Sequence, residues 1–182
     1  MSRKTEENQR PKTSRSKRKT IKDQDLKSVQ LKPSQHNYSF LVYRIYIHIY
    51  PFCSGPAGTS KTFTACYTAL HLLATKQIKN VILCKPIQES GEKLGFLPGD
   101  IADKVDPFMQ SYLSNIKKII GVELTESLVS AGVIEFKPLA YMRGDTFDNA
   151  LMILDEAQNA TFKQLMLFVT RMGRGSKVIV TG

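Results

Sequence analysis

The sequence has few residues that bind transition metals or form disulfide cross-links. Its three cysteines, Cys53, Cys66 and Cys84, form no CxxC pair, and its three histidines have no metal-ligand spacing. We expect the thiols to be reduced and to pack as small hydrophobic groups, as in a cytoplasmic protein. A redox or metal-binding role for the cysteines is the alternative, and their spacing does not support it.

We expect neither a secretory leader nor a membrane span from this sequence. Its N-terminus is polar and charged, without an apolar core. The most apolar segment, residues 38–53, is shorter than the ~20 residues of a membrane span and contains Arg44 and His48. We therefore expect a buried strand in this segment and no membrane partner.

Positive charge is concentrated at the N-terminus of the chain. The 182 residues include 26 Lys and Arg against 16 Asp and Glu, a formal net charge of +10. Residues 1–32 hold 11 of the basic and 4 of the acidic residues, and have almost no aliphatic side chains before Leu26. This composition predicts a disordered basic tail over 1–32, which favours polyanions such as nucleic acid or an acidic membrane surface. A single domain is expected over 33–182.

Short apolar runs alternate with amphipathic segments in this domain. Strands are predicted at 43–52, 81–84, 133–136, 151–154 and 177–181, and helices at 62–77, 107–120, 125–131 and 161–172. Pro107 is placed in a first turn and Thr161 at an N-cap, while Gly132 and Gly173 close helices. The alternation predicts an α/β, three-layer P-loop NTPase fold with a mainly parallel sheet.

A glycine loop between the first predicted strand and the first predicted helix is the strongest motif. Its residues are Gly55, Pro56, Ala57, Gly58, Thr59, Ser60, Lys61 and Thr62, set against the phosphate-binding pattern G-x-x-x-x-G-K-[ST]. Backbone N–H groups of such a loop face nucleotide phosphates, and the next helix adds its N-terminal dipole. Lys61 is predicted as a catalytic residue that reaches the β- and γ-phosphates, and Thr62 as a Mg²⁺ ligand. An ordinary Gly/Pro turn before a lysine is the alternative.

Ser60 departs from this pattern because it replaces the glycine before the lysine. If the loop needs a left-handed backbone there, a non-glycine residue costs ~1–2 kcal/mol. That cost corresponds to nucleotide binding weakened by about 5- to 30-fold. We therefore expect ATP binding to be weakened and not necessarily lost.

A second polar site follows the apolar run at 151–154. Asp155 is predicted to hold Mg²⁺, directly or through water, and Glu156 to orient and activate the attacking water. A strand that ends in a solvated polar turn is the alternative. The glycine loop, which ends 93 residues before Asp155, favours the metal and catalytic roles. A P-loop enzyme needs both a phosphate-binding loop and acidic residues of this kind.

Several longer segments carry a family resemblance. They are Gly55-Pro-Ala-Gly-Thr59, Glu89-Ser-Gly-Glu-Lys-Leu-Gly-Phe-Leu-Pro-Gly-Asp100, Lys104-Val-Asp-Pro-Phe108, Pro138-Leu-Ala-Tyr-Met-Arg-Gly144, Ile153-Leu-Asp-Glu-Ala-Gln-Asn159 and Thr170-Arg-Met-Gly173. On these segments, the region from about residue 35 to residue 182 resembles the PhoH family of cytoplasmic ATPases, which is similar to the ATPase half of superfamily 1 helicases. The resemblance implies ATP hydrolysis coupled to RNA or another single-stranded nucleic acid.

The resemblance also implies roles for individual polar residues. Gln35 is implied to bind the adenine edge, with a solvated linker glutamine as the alternative. Gln158 and Asn159 are similar to the polar pair that couples nucleotide state to the nucleic-acid face. From the residues alone, Lys85 and Lys93 are candidate phosphate-backbone contacts or solvated lysines. Arg143 is a candidate phosphate contact or a surface ion-pair partner.

Three departures from the family pattern complicate this prediction. Lys85 replaces the usual arginine, and Asp145 stands where many members have a basic residue. The family pattern also continues beyond Gly182 with an acid, a glutamine and further strands. We therefore expect an incomplete sheet with an exposed apolar edge, slow ATP turnover and a possible homo-oligomer. A basic nucleic-acid-binding module with a degenerate nucleotide site, or an inactive fragment, is the alternative.

Overall fold

The computed structural model describes residues 50–86 and 101–182, with residues 101–108 described by their backbone alone. The strands are β1 (Phe52–Cys53), β2 (Asn80–Cys84), β3 (Ile134–Phe136), β4 (Ala150–Leu154) and β5 (Lys177–Thr181). The helices are α1 (Lys61–Ala74), α2 (Ile101–Ile120), α3 (Val122–Ser130) and α4 (Phe162–Val169), with 3₁₀ turns at Leu139–Tyr141 and Ala157–Asn159. Residues 43–49 of the strand predicted at 43–52, and residues 87–100, lie outside the described residues.

The five strands form one parallel sheet in the order β1-β5-β4-β2-β3. The predicted α/β class and parallel sheet are therefore confirmed. β5 lies between β1, which leads into the glycine loop, and β4, which ends before Asp155. Because parallel strands end at the same edge, the segments after β1, β4 and β5 lie side by side.

Apolar side chains cover both faces of the sheet. On one face, Val81, Leu83, Leu151 and Ile153 pack with α1, α2 and α3. On the other face, Ile82, Cys84, Met152 and Leu154 pack with α4 and the turn at Leu139–Tyr141. Strands buried on both faces need apolar residues at every position, which explains the continuous apolar runs in the sequence.

The buried cysteines belong to these two clusters. Cys66 of α1 and Cys84 of β2 are 1% and 0% exposed, and burial raises the pKa of both thiols. Cys53 is half-buried in β1. For Cys66 and Cys84 the structure therefore agrees with the predicted role of small hydrophobic groups.

Two helices begin earlier than predicted. α2 begins at Ile101, so Pro107 lies inside the helix and not in its first turn, and the helix forgoes one backbone hydrogen bond there. α3 begins at Val122, and Thr125 lies within it, where its hydroxyl donates to the Gly121 carbonyl at 2.6 Å. Gly132 ends α3 with φ +67°, as predicted.

Gly173 has a different role from the predicted C′ position. α4 begins with the predicted Thr161 cap, which forms a capping box with Gln164, but it ends at Val169, before Gly173. Gly173 instead donates its N–H to the Phe147 carbonyl at 2.8 Å. A Cβ atom at this position would lie 2.7 Å from that carbonyl oxygen and 2.1 Å from Asp148 Oδ1. The glycine is therefore needed for the close approach of two backbone segments.

We expect Gly173→Ala to destabilise the fold by ~1–3 kcal/mol, because the backbone at Phe147 must shift to admit the methyl group. Urea unfolding followed by circular dichroism measures this loss. An unchanged midpoint would show that the contact between these segments relaxes without cost.

β1 forms one edge of the described sheet. Its Phe52 is 76% exposed and the preceding Tyr50 is 43% exposed. The exposed apolar edge predicted from the sequence stays a prediction. Self-association through it stays a prediction. In the described ranges, no helix is long and apolar enough to cross a membrane.

Candidate nucleotide-binding site

The glycine loop is held against the tips of β1 and β5. Gly182 donates its N–H to the Cys53 carbonyl at 3.1 Å, and Gly55 donates to the Gly182 carbonyl at 3.2 Å. Within the loop, the Thr59 hydroxyl donates to the Pro56 carbonyl at 2.9 Å. The backbone hydrogen bonds continue the β1–β5 pairing into the loop, so the sheet fixes where the loop begins.

Ser60 has the left-handed backbone that the sequence argument required, with φ 61° and ψ 27°. Ser60 is the N-cap of α1, and its carbonyl accepts from the N–H and the hydroxyl of Thr64, at 2.9 and 2.8 Å. Its own side chain makes no capping hydrogen bond. The serine therefore has the strain of a left-handed residue without the usual benefit of a serine cap.

The Lys61 side chain turns back over the glycine loop. Its Nζ donates to the Gly55 carbonyl at 2.6 Å and to the Pro56 carbonyl at 3.0 Å. These bonds place an ammonium group beside an exposed loop whose residues follow the phosphate-binding pattern.

Asp155 brings the two sequence motifs together. Its carboxylate is buried, 2% exposed for the residue, and accepts from the Thr62 hydroxyl at 2.9 Å across 93 residues of sequence. The other carboxylate oxygen accepts from the hydroxyl of Thr181, at the tip of β5. Thr181 was not among the predicted site residues, although its position at the end of a strand was predicted.

The oxygen atoms of Thr62 and Asp155 suit a hard divalent cation such as Mg²⁺. Mg²⁺ sites in proteins commonly use one or two side-chain oxygens and complete the shell with phosphates and water. In the described part of the chain, no three His, Cys, Asp or Glu residues cluster into an all-protein metal site. The donor set therefore fits a metal ion that arrives with a nucleotide.

Lys85 points inward and is not a solvated lysine. Its side chain is 16% exposed, and its Nζ lies 3.5 Å from Asp155 Oδ2. The same ammonium donates to Ser111 Oγ at 2.8 Å and lies 5.0 Å from the centre of the Tyr112 ring. Of the two alternatives for this residue, the solvated lysine does not match the structure, because the ammonium is held beside the buried Asp155. A contact with a nucleic-acid phosphate stays a prediction.

Glu156 follows Asp155 after the end of β4, and it is exposed. It has a left-handed backbone, φ 56° and ψ 38°, which is uncommon for glutamate and turns the chain sharply after β4. Its Oε2 accepts from Gln158 Nε2 at 2.6 Å. Strained backbone of this kind is concentrated at functional sites, which makes Glu156 a candidate for chemistry.

These residues surround an open cleft of about 630 Å³. Every residue of the predicted loop except Pro56 lines it, together with Asp155, Glu156 and Gln158. Phe63 of α1 and Asn115 and Lys118 of α2 complete the lining. These three residues were not predicted, because they lie on helices whose sequence pattern marks no site. Gln35 and Lys93 lie outside the described residues.

Asp145 belongs to a separate charged group. Its Oδ2 accepts from Lys137 Nζ at 2.7 Å, and this hydrogen bond is the main cause that raises the pKa of Lys137. Lys137 also lies 5.0 Å from the centre of the Phe147 ring. The acid that replaces a basic family residue therefore has an ion-pair partner, while Arg143 is exposed nearby in sequence.

We expect Ser60→Gly to tighten Mg·ATP binding by about 5- to 30-fold, because glycine adopts the left-handed backbone without strain and leaves more room for phosphates. Calorimetric titration measures the affinity. Ser54→Gly is a matched control, since Ser54 is exposed in the same segment and has no positive φ. Equal effects of the two changes, or no gain at Ser60, would contradict the strain argument.

The parallel sheet, the glycine loop and the Thr62–Asp155 contact define a protein of the P-loop NTPase type. The family model described as "PhoH: PhoH-like protein" matches residues 30–182. This match covers most of the chain, and the chain therefore belongs to the PhoH family.

Curated relatives agree with this assignment. A "PhoH-like protein" from Bacillus subtilis is 51% identical over 131 residues, covering 72% of this chain and 41% of its own length. A "PhoH-like protein" from Mycobacterium bovis is 47% identical over 152 residues, covering 84% and 43%. "Protein PhoH" from Escherichia coli is 40% identical over 133 residues, covering 72% and 38%. The chain thus spans less than half the length of these relatives.

A solved structure shares the fold. It is titled "Sulfolobus solfataricus SWI2/SNF2 ATPase core in complex with dsDNA", and it matches with a TM-score of 0.56 at 14% identity. The match covers 84% of this chain and 32% of the other. At this identity the likeness concerns the fold alone.

Proposed function

We propose that this chain binds Mg·ATP in the cleft beside the glycine loop and hydrolyses it slowly. The observation that carries the proposal is the 2.9 Å hydrogen bond between Thr62 and the buried Asp155. A Mg²⁺ site of this class needs a hydroxyl after the loop lysine and a carboxylate at the end of a neighbouring strand. The fold brings these two groups together although they are 93 residues apart in the sequence.

Each group of the cleft has a chemical role in this proposal. The loop N–H groups and the Lys61 ammonium would bind the phosphates, and Thr62 and Asp155 would hold the metal ion. A metal ion bound there would supply charge stabilisation for the transferring phosphoryl group. Glu156, exposed beside the cleft, orients and deprotonates the attacking water.

We also propose that the nucleotide cycle is coupled to RNA or another single-stranded nucleic acid. The basic residues of 1–32 favour a polyanion, and the structural neighbour's title describes a complex with dsDNA. Tyr141 and Phe162 are 54% and 76% exposed, and each has a basic residue within two positions in the sequence, Arg143 and Lys163. Exposed aromatic rings near basic residues suit stacking with unpaired bases.

One experiment tests both parts of this proposal. ATP affinity is measured by calorimetry, and phosphate release by a coupled assay, each with and without single-stranded RNA. We expect Mg²⁺-dependent binding and slow turnover that RNA stimulates. RNA binding without any ATP binding would instead support the second candidate, a nucleic-acid-binding module with a degenerate nucleotide site, which the strained Ser60 favours.

We expect RNA affinity to fall steeply with salt, because lysines and arginines that bind phosphates displace the counterions of the nucleic acid. On a log–log plot, each neutralised phosphate of a single strand contributes a slope of about −0.7. Deleting residues 1–32, which hold 11 of the 26 basic residues, should flatten this slope. Fluorescence anisotropy at several salt concentrations measures it. An unchanged slope would place the binding surface on the folded domain.

A further inference from the structure

Lys85 is a charged residue of the site to which the proposed function gives no role. It follows β2 directly, as Asp155 follows β4, and these two strands pair with Cys84 opposite Leu154. The Asp155 N–H donates to the Cys84 carbonyl at 3.0 Å. The two charged side chains therefore begin at adjacent positions on the carboxyl edge of the sheet.

The Lys85 ammonium is held from the α2 side as well. Ser111 Oγ accepts from it at 2.8 Å, and the Tyr112 ring centre lies 5.0 Å away. Tyr112 is fully buried and donates its hydroxyl to the Cys84 carbonyl at 2.7 Å, so its ring has a fixed position. Lys85 thus bridges α2 and Asp155 in a defined geometry.

Asp155 needs a counter-charge because its carboxylate is buried. The Thr62 and Thr181 hydroxyls donate hydrogen bonds to it but carry no net charge. Lys85 is the cation at ion-pair distance from this carboxylate within residues 50–86 and 101–182. A buried carboxylate without a cationic partner is strongly destabilising, so the contact is not an incidental surface pair.

We propose that Lys85 is the built-in counter-ion of Asp155, and that a divalent cation binds at Thr62 and Asp155 only as the Lys85 ammonium leaves the carboxylate. The inference rests on the proposed Mg·ATP site. Its physical basis is that the ammonium and the metal ion compete for one oxygen atom, Asp155 Oδ2, and repel each other. Lys85 is therefore a positioning residue that sets how much Mg²⁺ the site requires.

This exchange also connects the site to α2. When the ammonium leaves Asp155, its contacts with Ser111 and Tyr112 change as well, because one Nζ atom makes all three. Metal binding would then alter the packing between α2 and the sheet edge. Lys85 is thus the group through which α2 responds to the metal ion.

The test measures the Mg²⁺ concentration that half-saturates binding of a fluorescent ATP analogue. We expect Lys85→Met to lower this concentration by about tenfold, since a single charge at ~4–6 Å shifts a neighbouring ionic equilibrium by about one to three log units. Lys85→Arg, which keeps the charge, should need at least as much Mg²⁺ as the unmodified chain. Lys79→Met is the matched control, because Lys79 is exposed before β2 at the opposite edge of the sheet.

A second variant covers the case in which Lys85→Met does not fold. Ser111→Ala removes an acceptor that holds the ammonium in place, and Ser111 is exposed. We expect it to lower the Mg²⁺ requirement by about threefold, the effect of one weak hydrogen bond. If ATP binding in the unmodified chain needs no Mg²⁺, the proposed function fails. If it needs Mg²⁺, but Lys85→Met or, where that variant is unfolded, Ser111→Ala leaves the requirement unchanged or raises it, the counter-ion inference alone is overturned.

Discussion

Replacing Lys61 with alanine is expected to abolish measurable Mg·ATP binding. The Lys61 ammonium lies 2.6 and 3.0 Å from the Gly55 and Pro56 carbonyls, so it is already positioned over the loop that would hold the phosphates. Alanine removes this positive charge and leaves the carbonyl oxygens facing an anionic ligand. Two charge-assisted hydrogen bonds from the Lys61 ammonium to phosphate oxygens would contribute ~3 kcal/mol or more. This free energy corresponds to at least about 100-fold in affinity.

Calorimetric titration with Mg·ATP measures this loss, and thermal unfolding without nucleotide checks that the variant folds. Lys79→Ala is the matched control, since it removes an exposed lysine from the edge of the sheet opposite the loop. We expect the control to bind as the unmodified chain does. If Lys61→Ala retained full affinity, the loop would not be a phosphate site, and the hydrogen bonds of Lys61 would serve only the loop's own structure.

The strands were predictable because burial on two faces leaves an unambiguous pattern. β2 and β5 each contain four consecutive buried residues and β4 contains five, and each strand was predicted to within one residue. Such runs are too short for buried helices and alternate with amphipathic segments. In the structure these three runs are the central strands of the sheet, with β5 between β1 and β4.

Helix boundaries were less predictable because the deciding contacts are not local. A proline is usually found in the first turn of a helix. α2 nevertheless begins at Ile101, six residues before Pro107, and lacks the backbone hydrogen bond that the proline cannot donate. Gly173 follows a helical segment and therefore suggested a C-cap. Its actual constraint, the approach to Phe147, comes from a residue distant in sequence that the helical pattern cannot reveal.

The positions of residues within the two sequence motifs were predictable from the sequence. The contacts of the long Lys85 side chain were not. The two motifs lie side by side, with Thr62 hydrogen-bonded to Asp155, while the roles assigned to these residues stay predictions. Lys85 was expected to face solvent or nucleic acid, because its sequence position gives no information about the direction of a flexible side chain. Its place beside Asp155 depends on β2–β4 pairing and on Tyr112, which are tertiary features.

Glu156→Gln is expected to retain Mg·ATP and to lose turnover by about 100-fold or more, the usual contribution of a general base. Glutamine has nearly the same size and keeps an oxygen that can accept from Gln158, but it cannot take a proton from water. The strained backbone at Glu156 is unchanged by this substitution, so the shape of the cleft should persist. The two properties therefore separate, with affinity preserved and hydrolysis lost.

Single-turnover phosphate release, measured with the variant saturated by ATP, distinguishes a chemical defect from a binding defect. Glu126→Gln is the matched control, because Glu126 is exposed on α3 and has only a surface ion pair with Lys117 at 3.4 Å. Its turnover should equal that of the unmodified chain. If Glu156→Gln hydrolysed ATP at an undiminished rate, the general base would have to be another group. Loss of binding in that variant would show instead that the Glu156 carboxylate supports the metal site beside Asp155, since glutamine removes the negative charge while preserving the shape.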